Sequence, residues 1–278
     1  MIKLGETNQY PDAYSAELLE PIPRAAAREK LGLDAAKLPF QGKDIWTAFE
    51  VSWLRKNGLP VSKIAEFSVP CGSRAIYESK SFKYYLNSFN QERYVLDSDP
   101  IDRMREDLAS LTGSPVEIQL FDVDAYSKRS ADYAPHYQLL EALDLSEYNF
   151  ATSQPEAHQV EWIEQTGLRR YASHLLKTNC PLTGQPDWAS VFITIDGQQP
   201  EPISLLKYLI AFRDHQDYHE HCVERIFIDL ARDLAPQQLC VSARYTRRGG
   251  IDINPIRYTP DYPFGKSGIP EDFATYRQ

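Results

Sequence analysis

Glu78-Ser79-Lys80-Ser81-Phe82-Lys83-Tyr84-Tyr85-Leu86-Asn87-Ser88-Phe89 decides how this chain is organised, because a second stretch can be laid on it without a gap. That stretch is Glu201-Pro202-Ile203-Ser204-Leu205-Leu206-Lys207-Tyr208-Leu209-Ile210-Ala211-Phe212. Five of the twelve positions are identical: the Glu, a Ser, a Tyr, a Leu and the Phe. Further on, Asp107-Leu108-Ala109 matches Asp229-Leu230-Ala231, with the offset changed by one residue. Two matches in the same order at nearly one offset point to a duplicated unit.

The elements around the repeat also come twice. Alternation predicts strands over Asp44–Leu54, Ile64–Val69 and Val116–Val123, and again over Leu168–Leu176, Trp188–Ile195 and Gln238–Tyr245. Helices are expected over Glu78–Phe89 and Pro100–Leu111, then over Ile203–Arg213 and Tyr218–Leu234. Each half reads strand, strand, helix, helix, strand, with a further strand expected. Antiparallel hairpins with paired helices on one face make an α+β layer. Asp99-Pro100 offers an N-cap followed by a first-turn proline. Asp217-Tyr218-His219-Glu220 is close to a capping box. The polar segment Glu147–Gln159 is the expected linker, so the units are placed at 1–150 and 151–278. The first forty or so residues read as an extension wrapped on the outside.

The halves differ where chemistry is at stake. Lys80 and Lys83 of the first copy are replaced by Ile203 and Leu206 in the second. Only the second half carries Cys180 and His219-Glu220. Copies that keep different polar residues imply one composite site.

The 278 residues carry 30 Lys and Arg against 39 Asp and Glu, a formal charge of −9. That excludes a broad nucleic-acid surface but not a local basic site for an anionic cofactor. No apolar run approaches the roughly 18 residues a membrane span requires. Met1 to Glu6 lacks an apolar signal region, so a cytoplasmic location is expected. The four cysteines, Cys71, Cys180, Cys222 and Cys240, include no Cys-x-x-Cys pair and are expected as free thiols.

Three segments could do chemistry. In Asn179-Cys180-Pro181-Leu182-Thr183-Gly184-Gln185-Pro186-Asp187, a cysteine opens a Pro- and Gly-rich loop and an aspartate closes it. A ligand can reach such a loop, and a turn there can bring Asp187 beside the thiol. A plain connecting loop with a structural cysteine fits the same residues. In His215-Gln216-Asp217-Tyr218-His219-Glu220-His221-Cys222, three readings stand: solvated histidines at a helix start, a metal site, or recognition by Glu220. A carboxylate accepts two hydrogen bonds and suits the N–H/NH₂ edge of a guanine-like ring, with His219 serving proton transfer or orientation. Glu78-Ser79-Lys80-Ser81 opens a helix, where N–H groups, hydroxyls and a lysine suit a phosphate. Arg247-Arg248-Gly249-Gly250 combines gripping arginines with glycines that permit close approach. No GxGxxG follows a strand, so a dinucleotide would not be held in the Rossmann manner.

Three blocks resemble the NADPH-dependent 7-cyano-7-deazaguanine reductases, the nitrile reductases of queuosine biosynthesis, in their long duplicated form. They are Glu78-Ser79-Lys80-Ser81-Phe82-Lys83-Tyr84-Tyr85, Cys180-Pro181-Leu182-Thr183-Gly184-Gln185-Pro186-Asp187 and His219-Glu220-His221-Cys222. The stretch Arg247 to Pro255 is similar to the family too, and no matched chemical position departs from it. The resemblance implies two tandem tunnel-fold units in each chain of a homodimer. It implies Cys180 as nucleophile and Asp187 as general acid. It places Tyr77, Glu78, Ser79, His219 and Glu220 at the deazapurine, and Ser79, Lys80, Arg248 and Gly249 at NADPH, two of which are used per turnover. Cys222 matches a family cysteine able to pair reversibly with the nucleophile. No metal is expected. A zinc cyclohydrolase of the same fold (through His219, Cys180 and Cys222), a non-catalytic purine-binding homologue and a nitrile-hydrolysing cysteine enzyme are the alternatives.

Overall fold

The computed structural model describes residues 11, 13–126, 136–150, 154–155, 159–263, 275 and 277–278. The N-terminal residues read above and part of the expected linker lie outside them. The first half contains β1 (Pro21–Pro23), α1 (Ala25–Lys30), β2 (Gln41–Arg55), β3 (Pro60–Pro70), β4 (Ala75–Tyr77), α2 (Ser79–Ser88), β5 (Arg93–Tyr94), α3 (Asp99–Thr112), β6 (Glu117–Phe121) and α4 (Val123–Tyr126). Then follow β7 (Gln138–Leu139), β8 (Trp162–Asn179), β9 (Pro186–Pro200), α5 (Pro202–Ala211), α6 (His219–Leu234), β10 (Gln238–Tyr245) and β11 (Ile251–Tyr258).

One sheet carries both halves, in the order β6-β3-β2-β11-β10-β9-β8-β7, with β5 added beside β2. The long strands pair antiparallel; only short β5 and β7 pair parallel. The further strand expected from the sequence is β11. It crosses to the first half and pairs with β2 from Ile251 opposite Ala48 to Tyr258 opposite Gln41.

Helices cover the sheet over two cores. Trp46, Ala48, Val51 and Trp53 of β2 pack with Phe82, Tyr85 and Leu86 of α2 and Met104 and Leu108 of α3. The spacing from Ala48 to Val51 is three rather than two, and a register shift falls between them. The extra residue keeps Val51 and Trp53 on the core face. In the second core, Val191, Ile193 and Ile195 of β9 meet Leu205 and Leu206 of α5 and Val223, Ile226 and Phe227 of α6.

All five repeated identities have a structural use. Glu78 caps α2, accepting from the N–H groups of Lys80 and Ser81, and Glu201 caps α5 from Ser204. Ser81 Oγ accepts from Glu20 N at 3.1 Å, and Ser204 Oγ from Glu161 N at 2.9 Å. Tyr85 donates to Asp107 at 2.6 Å and Tyr208 to Asp229 at 2.7 Å, each tying its helix to the next. Leu86 and Leu209, like Phe89 and Phe212, are core residues.

Two cap readings are corrected. Helix α3 begins one residue earlier, with Ser98 at the N-cap position but no side-chain capping bond, and Asp99 instead accepts from Leu96 N. The N-cap of α6 is Tyr218, and Glu220 closes no capping box but is buried. The N-terminal segment is more than an outer wrapping. Arg24, just before α1, and Arg28 within it are buried between the halves. Arg24 pairs with Asp44 of β2, and Arg28 with Glu224 of α6 at 2.8 Å. Arg257 of β11 joins both acids, at 2.8 Å to Asp44 and 2.9 Å to Glu224.

Removing one member of such a group strands the others in a dry interior. Glu224→Ala should lower unfolding stability by about 3–5 kcal/mol in urea titrations. Burial pushes Asp44 and Glu224 up, but the facing guanidinium groups outweigh it and hold both below the ordinary range. Their contribution is therefore complete above the unfolded-state carboxylate pKa and is lost as pH falls through the lower folded value. The acid limb of a stability profile should flatten in Glu224→Ala.

Candidate active site

Cys180 opens the hairpin loop between β8 and β9, where Asn179 pairs with Pro186. Its N–H donates to Gln185 O at 2.9 Å, and its carbonyl accepts from Gly184 N at 2.9 Å, so the loop closes on itself. Pro181 to Gln185 are exposed and the thiol is partly so. The sequence predicted reach, and the loop supplies it. It did not predict what acts on the sulfur. Partial burial pushes the thiol up, but the Thr183 hydroxyl, the Leu182 and Thr183 N–H groups and Arg248 donate to it. Together they bring it below its ordinary value. Thr183 and Arg248, rather than Asp187, favour the thiolate.

Asp187 sits next along β9, opposite Thr178, and is buried. His219 Nε2 stands 3.3 Å from one carboxylate oxygen, and Arg248 Nη1 stands 3.0 Å from the other. The guanidinium contact is an ion pair whose N–H misses hydrogen-bond alignment. Cys180 and Asp187 line one cleft of about 360 Å³ with Tyr77, Glu78, Ser79, His219 and Glu220. Trp46, which the sequence placed only within an expected strand, forms another wall, its ring tilted 51° against that of Tyr77 with centroids 4.5 Å apart. An alternating apolar strand gives no sign that one of its aromatic edges faces a cleft.

Glu220 is 1% exposed, and its Oε1 has no hydrogen-bond partner among the described residues. Burial first, then Asp44, pushes its carboxyl up, opposed by His219 and Arg24. The Tyr77 hydroxyl is likewise buried without a partner. A cleft with an unmet carboxylate oxygen and an unmet hydroxyl suits a flat ligand with several N–H donors. Glu78 lines it too, although its carboxylate already caps α2.

A second, more open cavity of about 950 Å³ shares Glu78, Ser79, Cys180 and Arg248 with the first and adds Lys80 and Lys83. Lys83 is half-buried against Gly249, whose φ of 61° admits little else, and a Cβ there would lie 3.2 Å from Lys83 Cε. Burial and then Arg248 lower the Lys83 ammonium below its ordinary value. Lys80 is exposed over the Tyr84 ring. The residues present fit an anionic nucleotide: Ser79, two lysines and Arg248 border one space that Cys180 also lines, while the Glu78 carboxylate already takes two N–H groups of the α2 N-terminus.

His215 and His221 both turn toward Asp217, at 3.8 Å and 3.0 Å. Burial pushes Asp217 up, but these histidines and Tyr218 N hold it far below the ordinary range. No group of three or more metal-type ligands is gathered among the described residues. All four cysteines are free; Cys222 is fully buried on α6, and burial pushes its thiol well up.

Residues 10–120 match the sequence model of a family described as nitrile reductase, 7-cyano-7-deazaguanine-reductase N-term. Residues 186–262 match that of QueF-like protein. Among curated relatives, the NADPH-dependent 7-cyano-7-deazaguanine reductase of Chromohalobacter salexigens is 49% identical, with 92% of this chain and 91% of that protein covered. The protein of the same name from Teredinibacter turnerae is 46% identical over 92% and 90%. That from Saccharophagus degradans is 45% identical over 92% and 93%. A solved structure of an archaeosine synthase QueF-Like in its apo form aligns over 36% of this chain and 100% of its own, at 15% identity and a TM-score of 0.33, too slight a likeness to argue from. With close to half of its residues shared over nearly its whole length, this chain belongs to the family of NADPH-dependent 7-cyano-7-deazaguanine reductases.

Proposed function

We propose that this chain reduces the nitrile of 7-cyano-7-deazaguanine to the 7-aminomethyl group with two NADPH, through a thioimide on Cys180. Its relatives are named NADPH-dependent 7-cyano-7-deazaguanine reductases, which supports the substrate and the reductant. The observation that carries the mechanism is the position of Cys180, on the wall common to a cleft with a buried carboxylate and a second cavity with cations.

Glu220 accepts from the N–H/NH₂ edge of the deazaguanine, and Tyr77, Glu78 and Ser79 complete its frame. The Cys180 thiolate adds to the nitrile carbon, and Asp187 delivers a proton to the nitrile nitrogen, giving a C=N bond more activated than the nitrile. Ser79, Lys80, Arg248 and Gly249 hold NADPH, which when bound supplies hydride to that carbon. After the first transfer the carbon–sulfur bond breaks, and an imine and the Cys180 thiolate result. The second transfer and a proton, with His219 beside the nitrogen, give the amine. The walls keep water from the imine between transfers. The overall balance is one nitrile, two NADPH and two protons to one amine and two NADP⁺.

The matching caps and Tyr–Asp bonds support two tandem tunnel-fold units, 1–150 and 151–278. We read the chain as a cytoplasmic homodimer that binds the deazapurine and NADPH and no nucleic acid. Among the described residues no helix is long and apolar enough to cross a membrane. No observation favours the zinc enzyme, the non-catalytic homologue or the hydrolase.

Cys180→Ala should make no amine while still binding the nitrile, and the intact protein should consume two NADPH per amine formed. NADPH-independent hydrolysis of the nitrile to an amide or acid would contradict the reading. Asp187→Ala should lower kcat by about 10²-fold or more with a smaller change in KM. Thr183→Val removes a donor to the sulfur and so raises the Cys180 pKa. Alkylation of Cys180 by iodoacetamide near pH 7 should slow several-fold, with its pH midpoint moved upward.

A further inference from the structure

Tyr245 ends β10 and is 1% exposed. Its ring lies face to face with the His219 imidazole, with centroids 3.7 Å apart and planes 11° apart. The polar contact of that imidazole is Nε2 to Asp187 at 3.3 Å, while Nδ1 is buried without a hydrogen-bond partner among the described residues. A histidine ring has a broad torsion about its outer bond, and a contact at one nitrogen leaves the ring free to turn about it. His219 is also the first residue of α6, where the helix gives the least backbone support. The plane of the imidazole is therefore set by what lies against its face.

The ring of Tyr245, not its hydroxyl, provides that support. The hydroxyl is buried near Thr178 and the Cys222 thiol but makes no aligned hydrogen bond among the described residues. Register fixes the rest. Tyr245 lies opposite Ala189 in the β10–β9 ladder, two residues along β9 from Asp187. The ring under His219 and the carboxylate at its edge are thus held on adjoining strands with no loop between them.

We propose that Tyr245 is a positioning residue for this reaction, holding the His219 imidazole in the plane that points Nε2 at Asp187. The proposal rests on the role given to His219 above. The test measures kcat and KM for Tyr245→Phe, Tyr245→Leu, His219→Gln and the His219→Gln, Tyr245→Leu double variant. Tyr245→Phe should stay within about twofold of the parent. Tyr245→Leu should lose about tenfold or more in kcat with KM changed less than about threefold, as expected when a reacting group is displaced but binding is kept. In the His219→Gln background the Leu substitution should cost nothing further. Tyr245→Met, which keeps side-chain bulk without a ring, replaces the Leu variant if that protein does not fold. Additive losses in the double variant would overturn the proposal, as would parental kcat in both ring-less variants. If His219→Gln itself turns over normally, the role of His219 has failed, and that result is seen separately from the Tyr245 variants.

Discussion

The structure depends on a buried group of three guanidiniums and two carboxylates. Arg24 and Arg28 come from the N-terminal segment, Asp44 from the first half, Glu224 and Arg257 from the second, and the side chains of all five are at most 3% exposed. Desolvating five charges is costly, and only close pairing offsets it. The group therefore forms in one arrangement, with the segment and both halves in place together. It carries one excess positive charge. Glu220 lies one helical turn before Glu224 on α6, buried within electrostatic reach of Arg24 and Asp44. Burial and then Asp44 of that group push the Glu220 carboxyl up, and Arg24 opposes Asp44 more weakly, so the group that joins the halves also acts on the carboxylate proposed to face the ligand.

From that constraint the site follows. Fixing α6 places His219 and Glu220 at the end of the helix that faces the β8–β9 hairpin. The stretch before α6 is stitched to that hairpin by Asn179 N to His215 O and Asp217 N to Asn179 O, immediately before Cys180. Cys180, Asp187 and Glu220, the proposed nucleophile, acid and recognition carboxylate, are thus referenced to one another through backbone hydrogen bonds. Arg248 touches both chemistries, favouring the thiolate of Cys180 and pairing with Asp187.

The repeat was legible because its identities serve local physics. A Glu cap, a Ser that accepts a backbone N–H and a Tyr–Asp bond between helices depend only on short-range geometry, so they recur in both copies. The positions that differ between copies, Lys80 against Ile203 and Lys83 against Leu206, pointed to the open cavity. Other features were hidden. The first part of β8 is mostly exposed and does not alternate cleanly, so its strand reads too short. Arg24 and Arg28 look like ordinary surface cations, because burial of a charge depends on partners 20 and 196 residues away along the chain. Thr183 was a loop residue without a role until the loop closed on the sulfur. Glu220 resembled half of a capping box, and only its place in the cleft separates a ligand-facing carboxylate from a cap.

A covalent bond from the Cys180 sulfur to the former nitrile carbon is the centre of this account. The most direct measurement uses 7-cyano-7-deazaguanine labelled with ¹³C in the nitrile, mixed with the protein before NADPH is added and followed by carbon NMR. The nitrile resonance should give way to that of a sulfur-bound C=N carbon, and it should reappear when the complex is denatured under conditions that reverse the addition. A nitrile signal that persists in the fully bound protein, followed by normal amine formation on adding NADPH, would contradict it.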